Sequence, residues 1–345
     1  MLRIYTTIAL LVSLLISAKA FADGGGSTIA DIVVASAGAE AAEFTTLLAA
    51  VSAADPAILE ALADPEAALT VFAPTDAAFA ALAEALGDDA FKAILTEAGT
   101  PRLNEILRYH VLAGAVRSAD VVAGLSGAEA DAMGGVSFPA VTLSGQALDI
   151  AGTVGEDGLD LAAGITVAEA NLVLEMIDIE ASNGVIHVID AVIVPELRSI
   201  AEIVGDLAGA ENPEFTTLLG AVGAADPAVL DALGDASAEL TVFAPLDSAF
   251  AAVAGLEEIV ADTSLLTAIL QYHVLPGTVY SFQIGDLVDD MGQVVVAMAN
   301  GSEATISVSD MGVMIDGANI VLALADIEAS NGVIHVIDAV ITPQS

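Results

Sequence analysis

The sequence predicts an α+β chain in which one folding unit is used twice. Three observations predict it. Four segments recur in the same order along the chain. Each copy opens with apolar residues at helical spacing. Each then passes into Val/Ile runs broken by Gly, Asn and Asp, as short strands are. Helices first and strands afterwards argue against a doubly wound parallel sheet.

The repeated segments carry the duplication. Glu43-Phe-Thr-Thr-Leu-Leu48 returns as Glu214 to Leu219, and Thr70-Val-Phe-Ala-Pro74 as Thr241 to Pro245, both at an offset of 171. Tyr109-His-Val-Leu112 returns as Tyr272 to Leu275 at an offset of 163, and Asp178 to Ile193 returns unchanged as Asp326 to Ile341 at an offset of 148. The shrinking offset places extra residues in the first copy, 8 between the second and third segments and 15 between the third and fourth. The Gly- and acid-rich stretch Gly152 to Gly164 is the expected host of the longer insertion, as a surface loop. The expected organisation is a leader over 1–22, a first domain over 23–196 and a second over 197–345. The joint near Pro195 to Ser199 is not Gly/Ser-rich, so a restricted interdomain angle is expected.

Within the first copy, a helix is expected from Glu40 to Ala53, with Phe44, Leu47, Leu48 and Val51 on one face. Asp55-Pro56 opens a second, Asp as cap and Pro in the first turn. Leu69 to Phe72 reads as a strand halted by Pro74. Thr75 or Asp76 caps a helix carrying Phe79 and Leu82, and another helix runs into Leu107 to His110. The remainder, about 115 to 195, reads as β-rich. Aromatics make up only 4% of the chain and Trp is absent, so the core is assembled from Ala, Val, Leu and Ile.

Composition narrows the function classes. Without cysteine there are no disulfides, thiolate zinc sites or cysteine nucleophiles. The first 22 residues read as a signal peptide: Arg3, an apolar run from Ile8 to Ile16, and a small-x-small end at Ala20-Phe21-Ala22. The run is short for a membrane span, a retained N-terminal anchor being the alternative, and later apolar stretches are broken by acidic residues despite a mean hydropathy of +0.78. The chain has 7 basic and 48 acidic residues; losing Arg3 and Lys19 with the leader takes the net charge from −41 to −43. No Lys or Arg follows Arg198. Such a surface repels nucleic acid and anionic lipid, whose phosphates need cations. It reads as adaptation to a saline exterior, with weak calcium binding through convergent carboxylates as the alternative.

The four histidines, His110, His187, His273 and His335, all lie in the repeated segments. In the expected strand Asn183 to Val192 side chains alternate faces: Val185, His187, Ile189 and Ala191 on one, Ile186, Val188, Asp190 and Val192 on the other. Both faces are apolar, so the strand is expected to be buried on both sides, with no His187–Asp190 dyad. His187 and His335 therefore read as hydrogen-bonded core histidines, a metal or catalytic role being the alternative. Asn183-Gly184 reads as a turn feeding that strand. Tyr109-His110 and Tyr272-His273 read as helix ends, either structural or presenting a binding surface. The run Glu156 to Asp160 reads as a solvated loop, calcium donation being the alternative. Nucleophile-elbow, zincin, P-loop and EF-hand signatures are missing from the sequence, and no catalytic or metal residue is assigned.

Three of these motifs, in order and twice over, resemble the fasciclin-like domain family: Thr70 to Phe79 with Thr241 to Phe250, the two Tyr-His pairs, and Asn183 to Pro195 with Asn331 to Pro343. Leu246 departs from the pattern, where Thr is usual, and is expected to weaken one helix cap. The resemblance implies two tandem domains, each a compact β-sandwich-like wedge with helices packed on it. It implies a secreted, non-enzymatic adhesion or matrix protein whose partners are cell-surface or matrix proteins or glycans, with no cofactor. It also carries a binding role onto Asp178, Ile179, Tyr109 and His110, and onto Asp326, Ile327, Tyr272 and His273. The competing expectation is a periplasmic small-molecule- or calcium-binding protein, or a hydrolase with an interdomain site.

Overall fold

A computed structural model describes residues 26–38, 43–96, 101–128, 130, 135–155, 158–159, 164–210, 214–309 and 312–343. The expected signal peptide lies outside the described residues, as do Glu156, Asp157 and Asp160. The chain divides between Pro195 and Glu196 into two compact units.

In the first unit the helices are α1 (Ile29–Ala37), α2 (Thr45–Ala53), α3 (Pro56–Ala63), α4 (Asp76–Leu86), α5 (Asp88–Thr96), α6 (Pro101–Tyr109) and α7 (Ser118–Gly127). The strands are β1 (Leu69–Pro74), β2 (Val111–Ala113), β3 (Gly135–Val141), β4 (Ala147–Gly155), β5 (Gly158–Leu159), β6 (Thr166–Val167), β7 (Ala170–Asn171), β8 (Ile179–Ala181) and β9 (Gly184–Ile189). One sheet has the order β2-β1-β9-β8, with β1 and β9 parallel and Phe72 opposite His187. The other has the order β3-β4-β6-β7, with β5 folded back on β4.

The second unit repeats this with α8 (Ile200–Ala208), α9 (Thr216–Ala224), α10 (Pro227–Gly234), α11 (Asp247–Ala251), α12 (Leu256–Ala261), α13 (Thr263–Tyr272) and α14 (Ser281–Leu287). Its strands are β10 (Leu240–Pro245), β11 (Val274–Pro276), β12 (Gln293–Ala297), β13 (Glu303–Ser309), β14 (Gly312–Ile315), β15 (Ala318–Asn319), β16 (Ile327–Ala329) and β17 (Gly332–Ile337). Its sheets run β11-β10-β17-β16 and β12-β13-β14-β15, and Phe243 faces His335 as Phe72 faces His187.

The alternation of β1 and β9 divides each unit into two cores. Val71, Ala73, Ile186 and Val188 face the helical layer with Ile29, Phe44, Leu47 and Leu107. Phe72 and Ile189 face the second sheet and α7, meeting Leu125, Leu148, Ile150 and Val167. Side chains of period two entering two dry layers explain why β9 reads apolar on both faces. The result is the sandwich-like arrangement with helices packed outside it.

Three local expectations are corrected. A helix, α1, precedes the one expected first. The stretch after 115 is not β-rich throughout, because α7 forms there. Gly152 to Gly155 continue β4 instead of opening a loop, and β5 pairs back on Val154 and Gly155.

Capping in each unit is partly supplied across the chain. Thr75 caps α4, its hydroxyl accepting from the Ala78 N–H at 3.1 Å. Asp76 serves a different helix. Its carboxylate accepts from the Thr46 N–H at 2.8 Å, and from the Thr45 hydroxyl and N–H at 2.6 and 3.2 Å, at the start of α2, whose own cap position is Phe44. Burial opposes the charge, but these bonds outweigh it and hold the Asp76 carboxyl below its usual range. Asp247 repeats the arrangement on Thr216 and Thr217. Replacing Asp76 by Ala removes the side-chain cap that α2 has among the described residues and is expected to cost about 1–2 kcal/mol in urea unfolding. A loss below about 0.3 kcal/mol would show that the crossing bonds contribute nothing net. At Leu246 the cap side chain is absent, and α11 has 5 residues where α4 has 11.

Candidate functional site

The residues singled out by the Tyr-His and Asp-Ile pairs go to two different places in each unit. Tyr109 ends α6 and His110 follows it. Nδ1–H of His110 donates to the Ile106 carbonyl at 2.7 Å, the helix-end bond expected of the last turn, and Nε2 accepts from the Ile193 N–H at 3.3 Å. The Tyr109 hydroxyl donates to the Ala147 carbonyl at 3.0 Å, tying α6 to the second sheet. In the second unit His273 bonds Ile269 at 2.8 Å and Ile341 at 3.1 Å in the same way, and the Tyr272 hydroxyl reaches the Glu303 carbonyl at 2.8 Å and the Asp316 carboxylate at 2.5 Å. Burial pushes both His110 and His273 down to about 4, with the helix carbonyl pulling weakly the other way. Both rings are therefore neutral at pH 7, with each nitrogen occupied.

Asp178 and Ile179 lie at the entrance to β8, beside His187 and not beside His110. Asp178 takes a positive φ of 53°, a conformation Asp tolerates better than most residues. Its N–H donates to Nδ1 of His187 at 3.3 Å, and Nε2–H of His187 donates to the Val116 carbonyl at 2.8 Å. Its carboxylate accepts from the Ser118 N–H at 2.8 Å and, at short range, from the Ser118 hydroxyl, so it sits at the start of α7. Ile179 pairs with Ile186 across the sheet and packs half-buried against the helical core. Burial lowers the His187 pKa against the pull of Val116 and Asp178, so this ring too is held neutral.

The second unit rebuilds this bracket atom for atom. Asp326 has a φ of 56°; it bonds His335 through its N–H at 3.3 Å and Ser281 through its carboxylate. Nε2–H of His335 donates to the Val279 carbonyl at 2.8 Å. An Asp326 oxygen also lies 3.8 Å from Nδ1 of His335, but that nitrogen carries no proton while it accepts from the Asp326 N–H, so the pair is not ionic.

Sequence reasoning misses two further buried residues, one in the bracket and one just before β9. Thr70, fully buried, donates to the Gly114 carbonyl and accepts from the Val116 N–H, both at 2.7 Å; Thr241 repeats this with Gly277 and Val279. Recurrence of this threonine inside a strand anchor was the available signal. Asn183 was read as half of a turn, but its side chain is a fully used clamp. Oδ1 accepts from the Ile29 N–H at 2.9 Å, and the amide donates to the Leu62 and Asp64 carbonyls, both at 2.9 Å. It thus joins the start of α1 to the end of α3, as Asn331 joins α8 to α10.

What the bracket leaves outside is an edge. In the first unit Arg117 forms a two-pronged pair with Glu180 at 3.0 and 3.1 Å, both side chains more than half exposed. In the second, buried Tyr280 stands where Arg117 does, reaches Glu328 at 3.2 Å and stacks on the exposed ring of Phe282 at 5.3 Å. Among the described residues, no three His, Asp or Glu side chains converge as metal ligands would. Chemically, then, the bracket positions backbone and rim, and both histidines of each unit are engaged by backbone groups and not by a hydroxyl.

Two α+β units that share one internal polar bracket define a tandem repeat of a single domain. The family model "Fasciclin domain" matches residues 42–195 and 213–343, and the chain belongs to that family. It is 42% identical over 138 residues to protein sll1483 of Synechocystis, covering 39% of this chain and 70% of that one. It is 33% identical over 167 residues to human periostin, covering 48% of this chain but only 18% of periostin. It is 30% identical over 142 residues to the immunogenic protein MPB70 of Mycobacterium bovis, covering 40% of this chain and 67% of that one. A solved FAS1 domain pair from the insect cell adhesion molecule Fasciclin I overlays 88% of this chain and 98% of its own, at 16% identity and a TM-score of 0.37. No single helix among the described residues is long and apolar enough to cross a membrane.

Proposed function

We propose that this chain is an exported, non-enzymatic adhesion or matrix-type protein that engages cell-surface or matrix proteins or glycans through both units. One observation carries the reading: in each unit both histidines have both ring nitrogens bonded to backbone groups, so the sparse polar side chains organise a surface and do not react. In this proposal Asp178, Ile179, Asp326 and Ile327 hold the exposed edge in place, and Tyr109, His110, Tyr272 and His273 tie the helix end to the second sheet and the C-terminal segment of each unit; Arg117 with Glu180, and Phe282, are what a partner touches. Calcium is a weak, diffuse counterion of the acidic surface. The reading includes cleavage near Ala22 and salt adaptation of the charge.

Two weak contacts on one chain gain strength through effective concentration. The test is adhesion of beads carrying the chain from Asp23 onward to defined films of collagen, fibronectin or acidic and neutral polysaccharides. The expected result is retention on at least one film, falling at least tenfold when the chain is cut near Ser199. Phe282→Ala is expected to weaken the same retention. Failure on every film, or equal retention by one half, overturns the two-contact reading.

A further inference from the structure

The two units differ in the space over their helix-end histidines. In the first unit the space beneath α4 and α5, over His110, is filled: a void of about 20 Å³ remains among Phe79, Leu82, Phe91 and Ile94. The corresponding space in the second unit, over His273, is an apolar cavity of about 290 Å³. Its floor is Phe250, Leu266 and Ile269, all buried, and its rim is Val253, Leu256 and Ile259. The cause is local. The uncapped α11 stops at Ala251, Gly255 turns the chain in the left-handed region at φ 72°, and α12 brings Leu256 and Ile259 where α5 brings Phe91 and Ile94. Val253 likewise stands where the first unit has Leu82, so two smaller side chains and a shorter helix open the space.

We propose that this cavity is a binding site for a neutral, hydrocarbon-rich small molecule of roughly ten to twelve carbons, scaled from an engineered cavity of about 150 Å³ that takes up benzene. The class of ligand follows from the lining and the charge. His273 offers no free group, because Nδ1–H is given to Ile269 and Nε2 accepts from Ile341. The second unit's only Lys or Arg is Arg198, whose guanidinium is taken up by Glu196 and Asp206, and its acidic surface repels an anionic amphiphile. Apolar space of this size with few polar groups is what small-molecule sites offer.

The test is calorimetric titration of the full chain from Asp23 onward with decan-1-ol and, separately, decanoate at pH 7.5. One decanol is expected per chain, with decanoate at least tenfold weaker. Leu256→Phe, which restores the first unit's side chain, and independently Ile259→Phe, are expected to weaken decanol at least tenfold without lowering Tm. Two decanols per chain, no saturable binding, decanoate binding equally well, or unchanged affinity in a folded filling variant overturns the proposal. So does a dimer that Leu256→Phe dissociates, since the cavity would then hold a side chain of a second copy.

Discussion

Replacing Gly184 or Gly332 by alanine is expected to cost at least about 4 kcal/mol, the largest single-residue effect in the molecule. Each glycine opens the strand that carries the second histidine of its unit. Gly184 has a φ of 150° and Gly332 one of 142°, and a β-carbon there would lie 1.9 Å from the carbonyl oxygen of Leu69 or Leu240. That atom is backbone of the parallel neighbour, in register with the glycine itself, so no side-chain rotation relieves the clash. The strand must withdraw, and with it go the Asn183 clamp one residue earlier and the His187 bracket three residues later. Backbone strain at such a position is of order 1–3 kcal/mol even without a collision. The check is urea unfolding of the Gly184→Ala chain, with Gly87→Ala as control. Gly87 also has a positive φ, 84°, but nothing lies within 4 Å of its added carbon. Strain alone is then at issue, at about 1 kcal/mol. Equal losses at the two positions would mean that the parallel neighbour yields.

These glycines show where sequence reasoning stops. Asn183-Gly184 carries the local signature of a turn, and a turn is what propensity predicts from two residues. The constraint that keeps glycine there comes from Leu69, more than a hundred positions away, and the asparagine is used by α1 and α3 through its side chain. The division of β9 between two faces, by contrast, was legible, because period-two alternation is a property of the strand itself. The duplication was legible for a similar reason: repeated residues need no knowledge of contacts. α1 was missed because Ile29-Ala-Asp-Ile-Val-Val-Ala-Ser-Ala37 is apolar around most of its circumference and shows a weak periodicity. α7 was missed because part of its N-terminal support comes from Asp178, sixty residues downstream. The same long-range bond separates the Asp-Ile pair from the Tyr-His pair. The resemblance carries a binding role onto both pairs; in the structure Asp178 lies against Ser118 and His187, and His110 against Ile106 and Ile193. The cavity over His273 was visible only as a shrinking offset and one leucine at a threonine position. Neither says how much volume is lost or gained.

Acidification from pH 7 to pH 5 is expected to destabilise both units, by about 2 kcal/mol for each of His110 and His273. Both imidazoles are held at about 4 in the folded chain by burial, against 6.5 when exposed. Below pH 6.5 the unfolded chain takes up a proton that the folded chain refuses, so unfolding is coupled to proton binding and stability falls with pH. The contribution is fully present above 6.5 and is lost as the pH falls toward 4. His187 and His335, lowered for the same reason, act in the same direction. The opposing effect is relief of repulsion among the 48 acidic residues. Ordinary carboxylates protonate near pH 4, so that relief is small above pH 5 and the histidines decide the sign in the upper window. A paired carboxylate such as Asp76, held low, keeps its charge throughout the window and adds no slope. The measurement is the urea midpoint of the parent and of His110→Gln at half-unit steps between pH 7 and 5. The variant is expected to be weaker at pH 7, having lost two buried bonds, but flatter with pH. A parent whose midpoint holds steady or rises across this interval would mean that the rings are already protonated when folded, and the account of their neutral, backbone-bonded state would fall with it.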